Sequence, residues 1–191
     1  MNIIETIRSA IEKKSHFQIT DSNELFIKED QNTGVKELKE VKITGLDSEN
    51  TFAFKFDCFA KSSSYLSNKL KAIHKGCDCV IFHLDGSRLR VLICELKSFQ
   101  FNRKADLNPK YEATRIWVDY FRELLKSLEL ADFTIEYDYF LFYLNKNKKR
   151  VRASIPYSWE ESRKYKNITF VNEISKSSPK NFALHINQLL K

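Results

Sequence analysis

Apolar residues recur at helical spacing at the start of the chain. Ile3, Ile4, Ile7 and Ile11 predict a helix over residues 2–14 that stops near Lys13-Lys14-Ser15. Short extended pieces are expected at 17–20 and 25–28, and residues 35–46 alternate only at Val41-Lys42-Ile43. Residues 50–59 read as a strand with Phe52, Phe54 and Phe56 on one face. Residues 62–75 read as a helix, capped by Ser63 or Ser64, lined by Leu66, Leu70 and Ile73 and ended by Gly76. Residues 77–84 and 88–98 form two strands of nearly continuous apolar character, with Asp85-Gly86 at a tight turn between them. Asn108-Pro109 opens a long helix whose apolar face carries Ile116, Trp117, Tyr120, Phe121, Leu124, Leu125 and Leu128. An aromatic strand follows at 133–144, then a strand at 168–171 and an undecided element at 182–190. The order predicts an α/β domain with a central mixed sheet flanked by helices.

Composition adds a size and a compartment. The 191 residues suit one domain, and 15 Phe with 8 Tyr supply a core that needs no disulfide or metal to stand. No apolar run reaches 18 residues and the N-terminus does not resemble a signal peptide, so a cytoplasmic location away from membranes is expected. Cys77 and Cys79 fall two apart within a strand, so they are expected on one face as small buried residues.

Charge divides the chain. Net charge is +7, yet residues 1–145 carry 21 basic and 22 acidic groups while residues 146–191 carry 11 and 3. This splits the chain into a near-neutral α/β domain over 1–145 and a basic extension over 146–191 packed on it. The excess lies at Lys146, Lys148, Lys149, Arg150, Arg152, Arg163, Lys164 and Lys166. Such a patch either attracts a polyanion, of which nucleic acid is the commonest, or is simply a solvated loop on a soluble surface.

The apolar hairpin holds three charged residues. Asp78 stands at the start of one strand, with Glu95 and Lys97 at the end of the next, and a slightly bulged hairpin sets Asp78 beside Glu95. Two carboxylates in a dry sheet repel unless a cation compensates, and oxygen ligands suit Mg2+ or Mn2+. Asp78, sixteen intervening residues, then Glu95-Leu96-Lys97 resembles the PD-(D/E)XK nuclease superfamily, with Cys77 standing where the first motif commonly has proline. The resemblance implies a restriction-endonuclease-like α-β-β-β-α-β core. It also implies a metal held by Asp78, Glu95 and the Leu96 carbonyl, with Lys97 beside the nucleophile. It calls for a further glutamate on the first helix; Glu12 is the first choice, ahead of Glu5, Glu37 and Glu40. The resemblance also implies a polar residue facing the site from the long helix, with Lys110, Tyr111 and Arg115 as candidates, the first two placed in its first turn to contact phosphate.

Function follows on the same terms. The expected activity is metal-dependent endonucleolytic hydrolysis of a phosphodiester, with DNA favoured over RNA and phage defence as one setting. Arg103 and Lys104 after the Glu-x-Lys strand, and Lys148, Lys149, Arg150 and Arg152, are the expected nucleic-acid contacts. A homodimer or a targeting partner protein is expected, with the aromatic strand at 133–144 as an interface. The alternative is a noncatalytic nucleic-acid-binding or assembly subunit on the same fold. A third option is a phosphohydrolase acting on a small nucleotide.

Overall fold

The computed structural model describes residues 2–28, 40–56, 76–97, 107–144, 157–161, 168–173 and 181–190. Helix α1 spans Ile3–Ala10, with Asn2 Oδ1 capping it by accepting the Ile4 N–H at 3.1 Å. It stops short of the expected residue 14, and a single 3-10 turn at Lys13–Ser15 follows. The strands are β1 (Glu24–Lys28), β2 (Glu40–Thr44), β3 (Thr51–Phe54), β4 (Cys79–Asp85), β5 (Arg88–Lys97), β6 (Ile135–Leu144), β7 (Tyr157–Glu161), β8 (Ile168–Glu173) and β9 (Asn181–His185). Helix α2 spans Leu107–Ser127 between β5 and β6, and a short α3 covers Ile186–Leu189.

Two mixed sheets result. The larger runs β3-β4-β5-β6-β8-β7 and the smaller β1-β2-β9. Strands β3, β4 and β5 form an antiparallel meander, after which α2 carries the chain over to β6, parallel to β5. A crossover of this kind needs a helix-length connection. Strands β7 and β8 extend the large sheet, whereas β9 pairs in parallel with β2. The last quarter of the chain therefore contributes to both sheets.

Each face of the large sheet carries its own apolar layer. On one face α1 and α2 pack Ile4, Ile7, Val118, Phe121 and Leu125 against Phe52, Phe54, Phe82, Val91 and Ile93. On the other, Leu25, Ile27, Val41 and Ile43 of the small sheet meet Ile81, Leu92, Cys94, Phe140 and Phe142. Strands covered on both faces cannot alternate apolar with polar, which is why 77–84 and 88–98 read as almost unbroken apolar runs. Among the described residues, α1 and α2 lie on the first face, and the second sheet with α3 covers the other, so a second sheet joins the expected helices as a flanking layer.

Four local expectations also change. The hairpin needs no bulge: Cys79 faces Cys94 and Asp85 faces Arg88 in one continuous register. The two-residue loop is Gly86-Ser87, with Gly86 at φ +61° as its first central position requires in a II′ turn. Cys77 and Cys79 lie on opposite faces, because β4 begins only at Cys79 and the chain before it is free to turn. On α2, Ile116, Tyr120 and Leu124 face outward, as does Leu128 just beyond its end, and the packed stripe is Tyr111, Thr114, Val118, Phe121 and Leu125. Strand β6 lies between β5 and β8, paired with β5 from Ile135 to Tyr143 and with β8 from Tyr139 to Leu144. The expected helix at 62–75 lies outside the described residues. No helix among the described residues is long and apolar enough to cross a membrane.

Gly76 has a packing role that the expected helix stop does not account for. Its φ is not positive, and a Cβ there would sit 2.0 Å from Cδ1 of Phe56. The Phe56 ring is itself held edge-on to Trp117, with centroids 5.3 Å apart, and has little room to retreat. Gly76→Ala is expected to lower stability by about 1–3 kcal/mol, read as a fall in the urea midpoint at unchanged m-value.

Candidate functional site

The β4–β5 ladder stops at Cys79 and Cys94, and one residue further the backbone pairing gives way to a side chain. The Asp78 carboxylate accepts the Leu96 N–H at 2.6 Å through Oδ2. A strand residue sends its N–H and C=O to the same side, so the Leu96 carbonyl also lies on the side of Asp78. Glu95 precedes it on β5 and is wholly buried. Lys97 closes β5 in register with Tyr143 of β6.

The charge facing Glu95 comes from α2. Lys110 Nζ donates to Glu95 Oε1 at 2.6 Å, with 20% of the lysine side chain exposed and none of the glutamate. Burial alone would lower the Lys110 pKa, but the Glu95 and Asp78 carboxylates outweigh it and hold the ammonium well above its ordinary range. The lysine thus stays charged at any physiological pH, as a buried carboxylate requires of its partner.

Two further α2 side chains fix that lysine in place. Thr114, one turn on and fully buried, accepts the Cys77 N–H at 3.0 Å and donates to the Lys110 carbonyl at 2.8 Å. One hydroxyl therefore ties the chain just before Asp78 to the turn that carries Lys110. Thr114 is not among the residues expected at the site; its signal in the sequence is the i,i+4 spacing from Lys110 on one helix face. Tyr111 is also fully buried, and its hydroxyl donates to the Phe140 carbonyl at 2.8 Å. It anchors α2 to β6 and does not reach outward, so the expected phosphate contact is not open to it here.

The remaining candidates stand apart from this cluster. Glu12 follows α1 and pairs with Lys14 at 2.8 Å on an exposed surface, rather than joining Asp78 and Glu95. Glu5 pairs with Arg8 at 2.5 Å, and Glu40 with Lys28 at 3.4 Å. Among the described residues no three His, Cys, Asp or Glu side chains gather into a metal-binding group. Glu37, Arg103, Lys104, Lys148, Lys149, Arg150 and Arg152 lie outside the described residues. Cys77, Cys79 and Cys94 are free and buried, and burial pushes each thiol up, as suits small packing groups.

Two measurements follow from this arrangement. Thr114→Val strands the buried Cys77 N–H and is expected to cost about 1–3 kcal/mol in urea denaturation, with Thr114→Ser retaining most of the stability. The second concerns alkali. Burial pushes the Tyr139 hydroxyl up to about 12, partly opposed by Arg115, and burial holds Tyr111 well above the ordinary tyrosine range. A group whose folded pKa is raised keeps its proton longer folded than unfolded, so its contribution is full below about pH 10 and is lost as pH climbs towards 12. Stability is expected to fall across that window, with tyrosinate absorbance at 295 nm rising in step with unfolding.

The chain matches no family model, no curated protein and no solved structure.

Proposed function

We propose that this chain is a divalent-metal-dependent nuclease with a restriction-endonuclease-like core, acting on DNA in preference to RNA. The observation that carries the reading is the convergence of Asp78, Glu95 and Lys110 at one end of an otherwise apolar sheet. Burying a carboxylate is costly, and a purely structural sheet has no need of one there. With β1 and β2 of the second sheet set aside, the succession α1, β3-β4-β5 meander, α2, β6 supports a reading as the α-β-β-β-α-β core that the sequence resemblance implies.

The donor set fits the implied ion. Two carboxylates and a peptide carbonyl are hard oxygen donors, suited to Mg2+ or Mn2+. Asp78, Glu95 and the Leu96 carbonyl would hold the ion. When bound it supplies charge neutralisation at the phosphoryl oxygens and an acidified water as nucleophile. The protein supplies the rest. Asp78 is oriented by the Leu96 N–H, Glu95 is held in a dry site, and Thr114 fixes the helix turn that faces them. Lys97, two residues beyond Glu95 on β5, is assigned to orient the nucleophile and stabilise developing charge. Electrostatic steering of DNA falls to the basic residues of the last quarter.

The test is cleavage of supercoiled, linear and single-stranded DNA and of RNA with Mg2+ or Mn2+, beside Lys97→Ala purified identically. Metal-dependent cutting is expected, reduced about 100-fold or more in Lys97→Ala with the fold and DNA affinity retained. The absence of cutting at every metal and substrate, with salt-sensitive DNA binding intact, would replace this reading with a noncatalytic nucleic-acid-binding subunit. That second reading has one observation in its favour: Glu95 already has a cation, Lys110, against it.

A further inference from the structure

Lys110 holds a Glu95 oxygen that a metal reading reserves for an ion. Its ammonium lies 2.6 Å from Glu95 Oε1, and Asp78 also acts on it electrostatically. A divalent cation drawn to the same two carboxylates would meet that ammonium at close range, and like charges a few ångströms apart in a poorly solvated site repel strongly. The two cations are therefore alternatives. The backbone of the Lys110 turn is clamped through its carbonyl to Thr114, so the adjustable part is the four-carbon stem. The Lys110 side chain is partly exposed while that of Glu95 is not, which gives the ammonium somewhere to go.

We propose that Lys110 is the resident counter-ion of the Asp78–Glu95 pair, and that a divalent cation entering the site displaces it. The inference rests on reading that pair as a metal site. It goes further in giving the buried Glu95 a counter-charge without metal and in making metal uptake a contest with a side chain. A cation must then be concentrated enough to win that contest, so Lys110 sets the threshold at which the site loads.

The test is Mn2+ binding to the full chain, followed by the electron paramagnetic resonance of free Mn2+. Four proteins are compared: wild type, Lys110→Met, Lys110→Arg and Glu95→Gln. Lys110→Met is expected to bind at least about tenfold more tightly than wild type, because the competitor is gone while its apolar stem is kept. Lys110→Arg keeps the charge and should bind no more tightly than wild type. Glu95→Gln should lose the binding. Equal or weaker binding by Lys110→Met, with binding lost in Glu95→Gln, overturns the displacement and leaves the metal site standing. No Mn2+ binding by wild type or Lys110→Met, or binding unaffected by Glu95→Gln, overturns both. Should Lys110→Met fail to fold, wild type decides the matter by 15N resonance of the lysine ammonium groups under Mg2+ titration. Release of the Lys110 signal into fast solvent exchange at Mg2+ saturation is expected, and an unchanged signal overturns the proposal.

Discussion

A carboxylate with no exposed surface has to be neutralised where it stands, and at Glu95 the neutralising charge is brought by another element. That requirement links the parts of the large sheet. Strand β5 supplies the carboxylate, α2 must return over the sheet with Lys110 in its first turn, and the segment before β4 must stop at the right height for Thr114 to hold it. The connection from β5 to β6 is thus more than a crossover. It is the means by which an apolar interface tolerates charge, and it sets the site at the sheet end where β5 finishes and α2 begins.

Much of the site is legible in the amino-acid sequence. Asp78, Glu95 and Lys97 stand out because charged residues are conspicuous in near-continuous apolar strands, and the hairpin register brings the first two together. Lys110 is legible as a neighbour of the site through its place at the start of the helix after β5. Its bond to Glu95 is not, because a helix start gives no rotation about its own axis. The same gap explains α2, where apolar residues wrap so far around the helix that spacing alone favours Ile116 and Tyr120 over the buried Tyr111 and Thr114. Glu12 shows the opposite limit. Its position near a helix before the sheet agrees with the implied third carboxylate, but the helix ends at Ala10 and leaves it on the exposed turn beyond.

The fold as a whole is half visible in the same way. Alternation in Phe52, Phe54 and Phe56 marks the helix-side face of β3 correctly. The small sheet does not announce itself as a layer, because its closing partnership joins β2 to β9 across about 140 residues, and no local pattern encodes a pairing at that range. What stays hidden is the identity of the second face. Apolar runs announce that both sides of a strand are covered, yet they do not say by what.

The β2–β9 pairing has a consequence for how the protein is made. Until residues 181–189 have left the ribosome, β2 has only β1 beside it, and a lone two-stranded ribbon is marginal in water. Leu92, Cys94, Phe140 and Phe142 would then face solvent or a chaperone, since the layer that buries them is incomplete. The carboxylate end of β5 is synthesised well before β9, the strand that completes the layer on the sheet's second face. Nascent chains should therefore pass through an interval as an open half-structure, and the candidate site on that sheet gains its second covering layer only once β9 has been made.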